Sequence, residues 1–148
     1  MPCCLKNIRN CIKAVIGISY PGISVSGKQI ELNYNIDDNL ADYLKIDESR
    51  LQQILVNLIG NAIKFTDDGF VALNVVVTNT SYNKQQVTFS IKDTGIGISQ
   101  EALSQLFKPF TQVNTTALRK YGGTGLGLSI CKKLVEMMDG KIWVESKE

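Results

Sequence analysis

The sequence predicts an α+β fold, a two-layer α/β sandwich whose helices cover one face of a mixed β-sheet. Apolar residues recur at helical spacing between Leu51 and Ile63, which predicts a long amphipathic helix. Residues 70–78 and 87–92 are rich in β-formers and flank a polar stretch, which predicts an antiparallel hairpin. A second long helical segment covers residues 126–138. Runs of helix together with an antiparallel hairpin favour the α+β class.

The first third of the chain carries a helix, a strand and the start of the long helix. An N-terminal helix, which Pro21 and Gly22 should stop or kink, is predicted by apolar residues at helical spacing, namely Leu5, Ile8, Ile12, Val15 and Ile16. A half-buried strand is predicted by apolar residues that alternate with polar ones, namely Ile30, Leu32, Tyr34 and Ile36. Asp47 is the predicted N-cap of the long helix, whose apolar stripe is Leu51, Ile54, Leu55, Leu58, Ile59, Ala62 and Ile63.

The elements after the long helix are shorter. Ser99 is expected to cap a short helix that runs through Leu106, and Gly140 should end the last helix. The other predicted segments are a turn at 67–69, a polar hairpin loop at 79–85, a stretch of low periodicity at 108–125 and a closing strand at 141–145.

Composition narrows the class of protein. The chain has 148 residues, enough for a single domain that spans 1–148. Its net charge of +2 predicts no nucleic-acid partner, and it has no apolar run of membrane-spanning length, so no direct membrane contact is expected. The four cysteines lack zinc-ligand spacing, which predicts reduced thiols in a cytoplasmic setting. The cytosolic part of a membrane-bound receptor is the alternative location. The absence of histidine excludes a histidine base or phosphoacceptor within the chain.

The glycine run 121–128 is the strongest local motif. Four glycines fall within six positions before a helical segment, and the first turn of a helix leaves N–H donors for a phosphate. A flexible linker would give a similar pattern. A Walker A loop needs Gly-Lys followed by Ser or Thr, but Lys28 precedes Gln29 and Lys141 precedes Ile142. A Rossmann fingerprint is excluded because no buried strand is predicted directly before the glycines.

The long helix also has a polar face. Asn57, Asn61 and Lys64 are spaced by four and three residues, which places them on one side of the helix. Asparagine is a poor helix former, and its amide oxygen suits Mg²⁺ bound beside phosphates. Lysine can meet phosphate charge. The alternative is an ordinary solvated face.

Two further motifs follow the hairpin. Asp93-Thr94-Gly95-Ile96-Gly97-Ile98 begins at the end of a predicted strand, where the carboxylate would suit a buried acceptor for an exocyclic amine. A simple turn is the alternative. The second motif is Phe107-Lys108-Pro109-Phe110. It and the glycine run would be the two hinges of a lid over the ligand, and the lid would carry Arg119 and Lys120 toward phosphates. The alternative is a surface loop with packed aromatic residues.

Taken in chain order, four motifs resemble the N, G1, F and G2 boxes of sensor histidine kinases, and the resemblance covers residues 28–146. The motifs are Asn57…Asn61, Asp93-x-Gly95-x-Gly97, Phe107-x-Pro109-Phe110 and Gly123-x-Gly125-x-Gly127. The chain is similar to the catalytic and ATP-binding domain of hybrid-type kinases, within the GHKL superfamily that includes gyrase and MutL, and the resemblance implies the Bergerat-type fold. It implies that Asn61 coordinates Mg²⁺, with Asn57 in the same site and Lys64 near the phosphates, and that Asp93 accepts from adenine. Other implied ATP-binding residues are Gly95, Gly97, Ile98, Phe107, Phe110, Arg119, Lys120, Gly123, Thr124, Gly125, Leu126 and Gly127.

The resemblance also implies cofactors and partners. ATP and Mg²⁺ are the expected ligands. The phosphoacceptor histidine should lie on a separate dimerisation domain, with a response-regulator receiver domain downstream, and the isolated chain should be a monomer. The family adds one more strand after 141–146, so the sheet is expected to lack its final strand. The alternatives are a standalone serine kinase of the anti-sigma-factor type, which usually lacks the Phe-x-Pro-Phe pairing, and a non-catalytic nucleotide-binding fragment.

Overall fold

A computed structural model describes residues 5–19, 28–109 and 125–146. The helices are α1 (Ile8–Ser19), α2 (Glu48–Phe65), α3 (Gln100–Leu103) and α4 (Gly127–Met137). The strands are β1 (Leu5–Asn7), β2 (Gln29–Ile36), β3 (Tyr43–Lys45), β4 (Asp68–Ser81) and β5 (Lys84–Asp93). The chain divides into two compact units, Met1–Gly95 and Ile96–Glu148. Across the described ranges, no helix is both long enough and apolar enough to cross a membrane.

The first unit contains a three-stranded mixed sheet. β4 is central, with β2 parallel on one side and β5 antiparallel on the other, and a separate antiparallel ribbon joins β1 to β3. Residues directly opposite each other in a ladder share a face of the sheet. Val71, which is fully buried, lies opposite Asp93. Asp93, the last residue of β5, is therefore on the same side of the sheet as the buried residues of β4, although it is itself exposed.

The core of this unit lies between the helices and that face of the sheet. α1 and α2 contribute apolar side chains at helical spacing, and β4 contributes every second residue, as a strand with one buried face must. The buried residues of the core are Ile8, Cys11, Ile12, Val15, Ile30, Leu40, Leu51, Leu55, Ile59, Ala62, Ile63, Val71, Leu73 and Val75. The predicted α+β sandwich with a mixed sheet is confirmed.

Helix α2 begins and ends close to the predicted positions. The Asp47 side chain accepts a hydrogen bond from Arg50 N, which satisfies one of the unpaired donors of the first turn. Every predicted member of the apolar stripe is buried except Leu58, which is half-buried. Local sequence was sufficient here because the cap and the stripe are both properties of the helix itself.

In the first unit, the β-structure departs from the prediction at the N-terminus and at the hairpin, and β3 was not predicted. Leu5 starts strand β1 rather than the helix, and its side chain is 69% exposed, because the ribbon with β3 takes precedence over helical periodicity at this end. The hairpin is longer than expected: β4 runs to Ser81 and β5 starts at Lys84. The polar loop is thus a two-residue turn in which Tyr82 has a φ of 47°.

The second unit contains α3 and α4. Ser99 caps α3 by accepting from Ala102 N, but the helix ends at Leu103 and only turns follow it. The helix α4 agrees with the prediction, and Gly140 N closes its end by donating to Val135 O at 2.9 Å. Residues 141–146 keep an alternating exposure, yet they form no ladder with any described strand. The predicted closing strand is therefore wrong for this structure, since a strand needs a hydrogen-bonded neighbour.

Candidate functional site

Two side chains close the C-terminal end of α2, the helix whose polar face the sequence singled out. The last four carbonyl groups of a helix have no partner within it. Thr66, which is fully buried, donates from its hydroxyl to Ala62 O at 2.8 Å. The Lys28 ammonium donates to Ile63 O at 3.2 Å and to Lys64 O at 2.8 Å. The end of the helix is thus held by side chains rather than left to water.

The polar face of α2 has amides that are available to a ligand. Asn57 and Asn61 are both half-buried, and within the described part of the chain neither side chain has a hydrogen-bond partner. A half-buried amide without a protein partner is open to water or to a ligand. Lys64 holds its ammonium 5.2 Å from the centre of the Phe65 ring, a cation–π distance. The structure therefore brings the three residues together on the last turns of one helix, as the sequence predicted.

Asp93 ends β5 and starts the turn to the glycines. Its Oδ1 accepts a hydrogen bond from Gly95 N at 2.9 Å, the pattern of an Asx turn. The residue is exposed, whereas the sequence favoured a buried acceptor, because the strand ends at this residue. The turn orients the carboxylate and leaves it accessible.

Gly95 brings this turn against the end of α2. A Cβ built on Gly95 would lie 2.5 Å from Phe65 O, 2.9 Å from Asp93 Oδ1 and 3.0 Å from Phe65 C. Only a residue without a side chain fits such a close approach of two backbones. The contact places Asp93 next to the last turn of the helix that bears Asn61 and Lys64.

Thr94 and Gly69 fix the other side of the turn, and sequence reasoning missed both. The Thr94 hydroxyl accepts from Phe70 N at 2.9 Å, and Thr94 N donates to Phe70 O at 3.2 Å. Gly69 has a φ of +115°, and a Cβ there would collide with the Thr94 hydroxyl. In the sequence, the signal for this contact is Gly69 just after the helix, which by itself predicts no more than a turn. Lys28 was also missed, because it lies outside every motif.

The remaining predicted site residues in the described part of the chain belong to the second unit. Gly97 and Gly125 have positive φ values of 73° and 68°, which favour glycine. Ile98 N donates to Ser146 Oγ at 2.8 Å. Phe107 is half-buried, Gly127 is the first residue of α4, and Leu126 precedes it without a side-chain cap bond. Phe110, Arg119, Lys120, Gly123 and Thr124 lie outside the described residues, as does most of the predicted lid.

Within residues 5–19, 28–109 and 125–146, no group of three or more acidic or cysteine side chains could hold a metal ion.

Comparison with known proteins gives consistent matches. The family described as "Histidine kinase-, DNA gyrase B-, and HSP90-like ATPase" matches residues 46–148. The chain is 42% identical over 145 residues to the peroxide stress-activated histidine kinase mak2 of Schizosaccharomyces pombe, covering 95% of this chain and 6% of mak2. It is 45% identical over 120 residues to the signal transduction histidine-protein kinase BarA of Escherichia coli, covering 81% of this chain and 13% of BarA. The chain thus spans a small part of these relatives.

Solved structures agree. Full-length ShkA in complex with AMPPNP has a TM-score of 0.73 and 30% identity, with 97% of this chain and 29% of that chain covered. The nucleotide-free catalytic domain of the histidine kinase ThkA has a TM-score of 0.71 and 30% identity, with 98% and 89% covered. The chain belongs to the histidine kinase-, DNA gyrase B- and HSP90-like ATPase family, and it is homologous to the ATP-binding catalytic domains of sensor and hybrid histidine kinases.

Proposed function

We propose that this chain binds Mg²⁺-ATP where the turn after β5 meets the end of α2, and that it transfers the γ-phosphoryl group to a histidine on a separate dimerisation domain. The supporting observation is the close approach of Gly95 to Phe65 O. That contact joins an accessible carboxylate to a helix face with two unpartnered amides. We take residues 1–148 as one domain, because the family match at 46–148 crosses the boundary between the two units.

The adenine end of the site is assigned to Asp93. Its carboxylate is exposed and is oriented by Gly95 N, so it can accept a hydrogen bond from the exocyclic amine of adenine. Guanine would present a carbonyl oxygen to the same carboxylate. Two acceptors facing each other at a desolvated contact cost about 1–3 kcal/mol, or roughly ten- to a hundredfold in affinity. The site should therefore prefer ATP to GTP.

The phosphate end is assigned to the polar face of α2. The amide oxygens of Asn57 and Asn61 fit a Mg²⁺ ion, which prefers oxygen ligands and takes others from water and phosphates. When bound, the ion neutralises phosphate charge during transfer. Lys64 adds a positive charge one turn beyond Asn61. Taken by itself, the second unit has Gly127 as the first residue of α4 and Gly125 two residues before it, and a helix N-terminus of this kind suits the backbone approach of phosphates.

The phosphoacceptor must lie outside this chain, which contains no histidine. We infer that a histidine-bearing dimerisation domain is the direct partner and that a receiver domain acts downstream, in the cytosol. The histidine kinase names of the relatives support this. The isolated chain is expected to be a monomer with slow phosphate release to water, since catalysis of this kind depends on positioning the acceptor.

Calorimetry tests the binding site. The parent should bind ATP at least about tenfold more tightly than GTP, and Asp93→Asn should weaken ATP. Asn61→Ala should remove most of the gain in affinity that Mg²⁺ gives, without loss of fold, because Asn61 lies outside the apolar stripe of α2 and is only half-buried. Equal binding of ATP and GTP would contradict the role of Asp93. Binding of Mg²⁺-ATP by Asn61→Ala at the parent's affinity would contradict the role of Asn61.

Labelling with γ-³²P ATP tests the reaction. The chain is incubated alone and with a dimerisation segment that carries a histidine. Acid-labile label on the added segment alone is the expected result. Acid-stable label on serine or threonine of an added regulatory protein would support the anti-sigma-factor alternative, and binding without transfer to either would support a non-catalytic module.

A further inference from the structure

We infer that Lys28, which lies outside the four sequence motifs, is a positioning residue for the nucleotide site. This inference rests on the proposed function. Lys28 directly precedes β2, and the parallel ladder pairs Gln29 with Asp68 at the start of β4. The register therefore brings Lys28 to the junction between α2 and β4, although Lys28 and this junction are far apart in the sequence.

The Lys28 side chain contacts both the end of α2 and the residues that follow it. Its ammonium donates to Ile63 O at 3.2 Å, Lys64 O at 2.8 Å and Thr66 O at 2.9 Å, and it lies 3.2 Å from Asp67 Oδ1. Its side chain is only 16% exposed. An ammonium has three N–H donors and no acceptor, and a cation is favoured at the negative end of a helix. Lys28 matches this end in charge, and its N–H donors are directed at the carbonyl oxygens.

The turn that Lys28 holds is part of the proposed site. It includes Lys64, follows Asn61 by less than one turn, and ends at Phe65, whose carbonyl lies against Gly95. Without the ammonium, the carbonyls of Ile63 and Lys64 would need new partners, and the last turn would be free to fray. Fraying would move the helix residues away from Asp93, so affinity for nucleotide should fall even in protein that stays folded.

The chain offers a matched control at the other end of the same helix. Lys6 pairs with Glu48 at 3.5 Å, with side chains that are 45% and 35% exposed. Exposed pairs of this kind contribute little. Lys6→Met removes a lysine contact to α2 without touching its last turn.

The experiment measures the ATP dissociation constant in the full chain by calorimetry, together with unfolding by urea, for the parent, Lys28→Met and Lys6→Met. All are compared at a temperature where each is folded. Lys28→Met should bind ATP about tenfold more weakly, and Lys6→Met should stay within about twofold of the parent. Lys28→Arg, which keeps the charge and donors, should recover most of the affinity. Should Lys28→Met fail to fold, Lys28→Gln and Lys6→Gln replace the pair.

Three outcomes are distinct. No ATP binding by the parent would overturn the proposed function itself. ATP binding by the parent, with the folded Lys28 and Lys6 variants equal in affinity, would overturn the positioning role and leave Lys28 as a residue of stability alone. Weaker binding by the Lys28 variant and recovery by Lys28→Arg would support the inference.

Discussion

Replacing Gly95 with alanine tests whether the contact between the β5 turn and the end of α2 creates the site. The new Cβ would lie 2.5 Å from Phe65 O, whereas ordinary contact begins at 3.4 Å. The two segments must therefore separate by roughly 0.9 Å, because the nearest neighbour, Phe65 O, is a backbone atom and not the end of a flexible side chain. Overpacking of this kind costs about 1–3 kcal/mol of folding free energy. In catalysis, a displacement near 1 Å lowers the rate by about a hundredfold where reacting groups must be aligned.

We therefore expect Gly95→Ala to lower the free energy of unfolding by about 1–3 kcal/mol and to weaken ATP by at least about tenfold. Urea unfolding and calorimetry at a temperature where the variant is folded measure the two effects separately. Gly17→Ala in α1 is the matched control, because a Cβ there has nothing within 4 Å. It should be neutral or stabilising by up to about 1 kcal/mol and should leave ATP affinity unchanged. ATP affinity equal to the parent's in folded Gly95→Ala would refute the argument.

Two further predictions concern side-chain hydrogen bonds. Thr94→Val removes the hydroxyl that accepts from Phe70 N at 2.9 Å and should cost about 1 kcal/mol in urea unfolding, whereas Thr94→Ser should keep most of that stability; equal losses would mean that the hydroxyl is not responsible. Hydrogen bonds from Asn39 N and Val77 N lower the pKa of Asp37 below its usual value. A lowered folded-state pKa gives stability that is present above the unfolded pKa and is lost as pH falls through the folded one. Thermal melts of the parent and Asp37→Asn should therefore converge as pH drops below about 4, and a constant difference would contradict this.

The sequence predicted the elements whose cause is local. The N-cap at Asp47 and the apolar stripe of α2 are encoded within one helix, as is the polar face with Asn57 and Asn61. The aspartate at the end of β5 was also predicted, because strand alternation before it is a short-range pattern. For these elements, no knowledge of partners across the fold was needed.

The sequence did not predict features that depend on strand register. Lys28 reaches the end of α2 only because Gln29 pairs with Asp68, and Thr94 meets Gly69 only because β5 returns along β4. The full length of the hairpin, and the lack of a ladder between 141–146 and any described strand, depend on register in the same way. A strand exists only with its neighbour, and periodicity in one segment does not identify that neighbour.

The end of α2 shows why stability and ligand binding are hard to separate in this part of the molecule. A helix terminus must satisfy its unpaired carbonyls, and here Thr66 and Lys28 do so for Ala62, Ile63 and Lys64. The same contacts fix the direction in which the last turn presents its polar face. A variant that loosens this end will therefore lose stability and affinity together, but by different amounts. Only affinities measured in fully folded variants, beside a control at the opposite end of the helix, distinguish a site that is positioned from one that is merely folded.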